Sequence, residues 1–389
     1  MSFKKQKIEA NIIWIVDVWT YKARVAITKY QNRDLELIWY WEKRQDFINN
    51  CQENLSSITE AIRDSIKKAE SVWKTNINEL IINIPFQELF FETSKINYIR
   101  KDTSKEIDSE ELKEIILEIK NISLKKAFKN IKQDYSYDKN QLKLIICNIS
   151  NIIIDKIETK KILWKNPKEI NISILNIFIP ETKYDNIEQI AKNLDKKIIK
   201  ILPSEYAVAK LDYNKKNVVI IDLGSCHTSI IVKQKGNIIW AKKISVWIRE
   251  LIIEISKKYS KTRAEVIDMI DEDLFLEEKQ KFLEIFRDVI TISLEEILWD
   301  KICPSNFFMI GWWSNKFVKK YISELDFNDY WLKTTKKISF ITPNIEYLDD
   351  IDSSKSNLNI FSMMKWSLDF IKRQKDPIED TLKQIMNDY

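Results

Sequence analysis

The chain has 389 residues, 44% apolar and 31% charged, which predicts a globular protein with a substantial core and excludes a disordered one. Its 63 basic and 58 acidic residues are interleaved and leave a net charge of +5, so no nucleic-acid surface is predicted. Four scattered cysteines and one histidine leave no Cys/His metal set and fit a reducing cytoplasm, and no leader peptide or apolar run of about 18 residues predicts a membrane span.

The stretch NIIWIVDV (11–18) is an apolar run ending near Asp17, the pattern of a buried strand. Strands are predicted at ARVAITKY and LELIWYW, so the chain opens as a β-meander. Leu55, Ile58, Ala61, Ile62, Ile66, Ala69 and Val72 recur at helical spacing and predict an amphipathic helix. ELIINIP (79–85) returns to a strand. It opens a compact inserted module expected over 79–180, with a helix at SEELKEIILEIK and strands at QLKLIICNI and EINISILNIFIP.

A helix over about 184–197 and the strand KIIKILP lead into NVVIIDLGSCHTSIIVKQKGNIIWAKK. This unit repeats the opening of the chain: an apolar run ending in Asp222, a turn, an outgoing strand, then a hairpin at Lys235-Gly236-Asn237. Helices are predicted at roughly 247–259, 263–270 and 276–299, and the strand NFFMI runs into Gly311. Two such starts, some 200 residues apart, predict a duplicated α/β fold with a cleft between its halves.

Three turns stand out: Asp17-Val18-Trp19-Thr20-Tyr21-Lys22, Asp222-Leu223-Gly224-Ser225-Cys226-His227-Thr228, and Gly311-Trp312-Trp313-Ser314. In order and spacing they resemble the phosphate-1, phosphate-2 and adenosine signatures of the actin, sugar-kinase and heat-shock-chaperone ATPases. The resemblance implies an actin-like (ribonuclease-H-like) two-lobed α/β fold that binds ATP with Mg²⁺. Asp17 and Asp222 would hold the metal through water. Trp19, Thr20, Tyr21 and Lys22 in one hairpin, and Gly224, Ser225, Cys226, His227 and Thr228 in the other, would wrap the phosphates with backbone N–H groups. Gly311, Trp312, Trp313 and Ser314 would pack against the adenosine.

The early insert is similar to that of the bacterial cell-division protein FtsA and the pilus-assembly protein PilM. Resemblance to FtsA extends through SSITEAIRDSIKKAESVW, LWKNP and LPSEYAVAKL, and Ala264-Glu265-Val266-Ile267 matches a helix whose glutamate, Glu265, would face the ribose. The implied organisation is lobe 1 at 1–78, the insert at 79–180, lobe 1 again at 181–216, and lobe 2 at 217–345 with an abbreviated helical subdomain at about 247–300. A return to lobe 1 at 346–375 and an amphipathic tail at 376–389 complete it. By resemblance the chain would form filaments, bind the C-terminal peptide of FtsZ and link it to the inner face of the cell membrane, the tail touching the bilayer. Catalysis would be slow or absent, and no catalytic residue can be assigned with one histidine in the chain. A PilM-like role in pilus or type II secretion assembly is the first alternative; a small-molecule kinase of the same superfamily is the second.

The sequence departs from FtsA in places. His227 lies in a loop where glycine is usual, and it reads more simply as a hairpin residue than as a base. Asp268 replaces a lysine, and the tail DPIEDTLKQIMNDY is acidic, a poor match to an anionic bilayer. The tryptophans are the larger anomaly. Ordinary usage is about 7% glycine, yet the chain has 3 Gly against 13 Trp. Reading Trp as Gly turns DVWT into DVGT and GWWS into GGGS, the family pattern, and also repairs LWKNP and KWSL. Some bacterial codes read UGA as glycine and others as tryptophan, and the Ile-, Lys- and Asn-rich composition fits the A/T-rich genomes where UGA is reassigned. Glycine is therefore expected at these turns in the living cell.

Overall fold

A computed structural model describes residues 11–17, 22–31, 34–44, 55–73, 78–84, 86–159, 162–224, 227–299, 301–311, 314, 316–325, 327, 332–343 and 358–372. Along the chain the elements are β1 Asn11–Asp17, β2 Lys22–Gln31, β3 Asp34–Arg44, α1 Leu55–Trp73, β4 Glu79–Ile84, β5 Phe90–Ile99, α2 Ser109–Tyr135, β6 Leu142–Ile154, β7 Ile157–Glu158, β8 Glu169–Pro180, α3 Glu181–Leu194, β9 Lys197–Pro203 and α4 Ser204–Ala209. They continue with β10 Val218–Leu223, β11 Thr228–Gln234, β12 Asn237–Ile244, α5 Ile248–Lys258, α6 Arg263–Met269, α7 Leu276–Leu298, β13 Asn306–Ile310, α8 Lys316–Glu324, β14 Ser339–Phe340 and α9 Leu358–Lys372. Two compact units result, Met1–Lys210 with Asn359–Tyr389, and Leu211–Leu358.

Each unit has a five-stranded sheet of the same plan. In the first the order is β3-β2-β1-β4-β9, and in the second β12-β11-β10-β13-β14. In both, three antiparallel strands are followed by two that run parallel to the first strand of the set. The central strands read as continuous apolar runs because both faces are covered: Ile13–Asp17 of β1 and all of β10 are buried. On α1 the buried Ile58, Ala61, Ile62 and Ile66 form the stripe expected from their spacing, whereas Val72, expected on it, is exposed in the last turn.

Strand β4 departs from expectation. It pairs with β1 and β9 in the first sheet, so the separate module starts after it. Its five residues from Leu80 to Ile84 are buried, as a central parallel strand requires. The module is an antiparallel sheet of order β5-β8-β6-β7 covered by α2. That helix runs to Tyr135, well beyond the predicted segment, because Leu124, Ala127 and Ile131 continue its buried stripe. Asp108 caps its start by accepting from the N–H groups of Glu110 and Glu111, and Ser136, at φ 61°, ends it. The Arg100 side chain is fully buried and ties the module's loops together. It donates to both Glu111 carboxylate oxygens at 2.8 Å, to Asn166 Oδ1, and to the carbonyls of Lys105 and Pro167. Only a guanidinium supplies that fork of donors.

In the second unit the core lies between the sheet and helices α5, α7 and α8, with Phe286, Leu294, Phe307, Val318 and Phe327 inside it. Lys233 of β11 is a buried cation elsewhere in this unit. Its Nζ sits 4.9 Å from the centre of the Tyr213 ring and donates to Leu211 O at 3.5 Å. Burial pulls the ammonium down to about 8, against a small upward pull from Asp212. The folded chain thus sheds this proton near pH 8, whereas an unfolded lysine keeps it to about 10.4. Between those values the unfolded state binds more protons, so this lysine's contribution makes stability rise with pH, by about 3 kcal/mol in all. Thermal melts across that window are expected to show the rise in wild type relative to Lys233→Met. Parallel curves for the two proteins would contradict the assignment.

Candidate functional site

The second unit brings two of the three sequence turns together. Strands β10 and β13 run side by side, with Asp222 paired to Ile310, so Gly311 follows directly beside the aspartate. The approach is close: a Cβ on Gly311 would lie 2.3 Å from Leu223 O and 2.6 Å from Asp222 Oδ1. Gly311 also has φ +95°, a backbone state natural only to glycine. Its carbonyl accepts from the N–H of buried Ser314 at 3.3 Å, closing the turn before α8.

The turn after β10 is equally tight. Gly224 N–H donates to His227 O at 2.9 Å, and a Cβ on Gly224 would meet that oxygen at 2.6 Å. Gly224 O accepts from Ile248 N–H at 3.4 Å, which seats the turn against the start of α5. Thr228, buried at the head of β11, fixes the outgoing strand through a hydrogen bond from Oγ1 to Val246 O. His227 lends its carbonyl to the turn.

In the first unit Asp17 ends β1 and is completely buried. Its Oδ2 accepts from Arg24 Nη1 at 3.1 Å and its Oδ1 from Asn83 Nδ2 at 2.6 Å. Burial pushes the Asp17 carboxyl up, outweighing the downward pull of Arg24; the nearby Glu205 charge adds to the rise. Glu205 is itself buried and accepts from Phe86 N–H and Ser204 Oγ. Sequence reasoning missed Arg24, Asn83 and Glu205. Arg24 faces Asp17 across the hairpin, with six residues between them in the chain.

Lys22 opens β2, paired to Arg44. Trp19, Thr20, Tyr21, Ser225, Cys226, Trp312, Trp313 and the tail 376–389 lie outside the described residues. Glu265 serves as the acid of a helix-capping box, its Oε2 accepting from Thr262 N–H and Oγ1 at 2.7 Å. Hydrogen bonding to Thr262 holds its carboxyl below the usual range. Among the described residues no cluster of three or more His, Cys, Asp or Glu could hold a metal, and no helix is long and apolar enough to cross a membrane.

Tryptophan takes up unusual positions elsewhere. Trp164 and Trp299 have φ of 62° and 29° and are 70% and 84% exposed, Trp299 at the C-terminal cap of α7. Trp14 and Trp41 bury indole N–H groups with no acceptor among the described residues. By contrast Trp39 and Trp41 stack at 6.3 Å, and Lys68 lies 3.7 Å over the Trp41 ring.

No protein-family model matches the chain, and no curated protein matches it in sequence. Solved structures do. The chain is similar to the PilM-PilN type IV pilus biogenesis complex, with a TM-score of 0.59 at 8% identity over 93% of this chain and 99% of that one. It is also similar to MreB5 of Spiroplasma citri bound to ADP (0.47, 10%, 93% and 98%) and to the ethanolamine utilization protein EutJ from Carboxydothermus hydrogenoformans (0.46, 9%, 92% and 91%). With the duplicated sheets, the first likeness establishes the fold: this is an actin-like α/β chain.

Proposed function

We propose that this actin-like chain binds ATP with Mg²⁺ and works as an assembly scaffold, the nucleotide setting its assembly state and being turned over slowly or not at all. The carrying observation is the meeting of Asp222, Gly224 and Gly311 at the ends of β10 and β13, where the two turns that resemble phosphate and adenosine signatures share one strand pair. Backbone N–H groups of such turns are good anion ligands. A hard carboxylate at a strand end, with the Ser229 hydroxyl on the neighbouring strand, suits a hydrated Mg²⁺. Glu265 would face the ribose from α6, its Oε2 already engaged by Thr262.

Resemblance to FtsA supports a cell-division role: self-assembly, capture of the FtsZ C-terminal peptide, and a place at the inner face of the cell membrane through residues 376–389. A second reading, a PilM-like pilus or secretion component, is favoured by a likeness that covers 93% of the chain. Immobilised full-length protein separates them. Retention of the FtsZ peptide is expected; retention of a pilus partner's N-terminal peptide instead would move the assignment to the second reading, and retention of neither would sink both.

We further propose that glycine stands at Trp19, Trp164, Trp299, Trp312 and Trp313 in the native protein. Trp164 and Trp299 support this, because a left-handed backbone costs an L residue about 1–2 kcal/mol and their indoles are largely exposed. The stacked Trp39 and Trp41 are in ordinary strand positions and give it no support. Trp164→Gly and Trp299→Gly are each expected to stabilise the protein by about 1 kcal/mol in urea denaturation. A loss of stability in both would argue that tryptophan belongs there.

A further inference from the structure

The two repeats treat their strand-end aspartates differently. Asp17 is met by Arg24, its cross-strand partner on β2, and by Asn83 on β4, one on each carboxylate oxygen. The corresponding neighbours of Asp222 are Ser229 on β11 and Ile310 on β13, so neither position carries a cation or an amide. Asp17 has no exposure, and the Arg24 side chain keeps 7%. The same guanidinium lies 3.9 Å from Glu42, and buried Glu205 acts on Asp17 from α4. Asp17 and Glu42 therefore share the Arg24 guanidinium, with the Glu205 charge acting on Asp17.

A Mg²⁺ ion held through water needs carboxylate lone pairs that its hydration shell can reach. At Asp17 both oxygens are engaged by side chains, and the charge a metal would bring is already supplied by the guanidinium. We infer that Asp17 is a structural counter-ion joining β1, β2 and β4, and that of the two strand-end acids Asp222 alone serves a divalent cation. The second half of this rests on the ATP-binding reading; the first does not.

Melting of the full chain without nucleotide tests the first half. Arg24→Met is expected to lower the midpoint by about 10 °C, because the acids lose their counter-charge. The pair Asp17→Asn with Arg24→Met should regain at least half of that loss, and millimolar Mg²⁺ should leave the wild-type midpoint unmoved. If Arg24→Met does not fold, Asp17→Asn carries the test: the ratio of its ATP affinities with and without Mg²⁺ should match wild type, while Asp222→Asn should lower that ratio about tenfold. An unshifted Arg24→Met midpoint, or Mg²⁺ stabilisation that vanishes in Asp17→Asn, overturns the inference. Should no form bind ATP, the ATP reading fails, and the coupling between Asp17 and Arg24 still decides the structural half.

Discussion

Glycine at positions 19, 312 and 313 is expected to tighten ATP binding about 100-fold over the tryptophan chain, roughly 2.8 kcal/mol. These positions lie in turns whose ligands would be backbone N–H groups, and such groups reach a phosphate only where side chains leave room. The demand for space is already severe beside them: at Gly311 not even one carbon can be added without contact below 3 Å. If the turns hold nucleotide, two indoles following that residue would compete with the adenosine for space, and an indole at 19 would occupy volume the phosphates need. Displacement of labelled ATP from the two recombinant forms measures the difference. Equal affinity would show that the turns do not hold nucleotide.

Gly311→Ala should lower stability by about 3 kcal/mol or more, combining overpacking with a strained backbone. The new methyl would press on Leu223 O and Asp222 Oδ1, and Leu223 cannot retreat because β10 is paired with β11 on one side and β13 on the other. Gly236→Ala is the matched control. Its φ is +83°, but nothing lies within 4 Å of the added carbon, so only the backbone cost of about 1–2 kcal/mol remains. Urea denaturation of the two variants separates packing from conformation. A Gly311 variant no worse than the Gly236 variant would mean that β10 and β13 do not approach as described.

Much of this was legible because the fold repeats itself. Apolar runs ending in Asp17 and Asp222, each followed by an outgoing strand, already marked the two halves that the sheets share. The insert's edge was misplaced at β4, since an all-apolar strand reads alike inside a module or at the centre of a main sheet. The capping role of Glu265 was present in the spacing Thr262-x-x-Glu265, but the ribose reading drew attention away from it. The environment of Asp17 was the hardest part. Arg24 comes from the same hairpin as Asp17, in a register that the structure supplies, whereas Asn83 arrives on a parallel strand 66 residues after Asp17 and Glu205 from beyond the inserted module. Contacts between distant segments leave no local periodicity to read, and they are what distinguishes one aspartate from the other.

The residue actually present in the turn proposed to hold adenosine decides most directly whether this is a nucleotide-binding chain. Tandem mass sequencing of the tryptic peptide Ile302–Lys316, taken from protein made in its own cells, reads positions 312 and 313 outright. Glycine at both is predicted, giving a turn of three consecutive glycines beside Asp222. Tryptophan at both would contradict the account, leaving an actin-like fold whose nucleotide turn is filled by its own side chains.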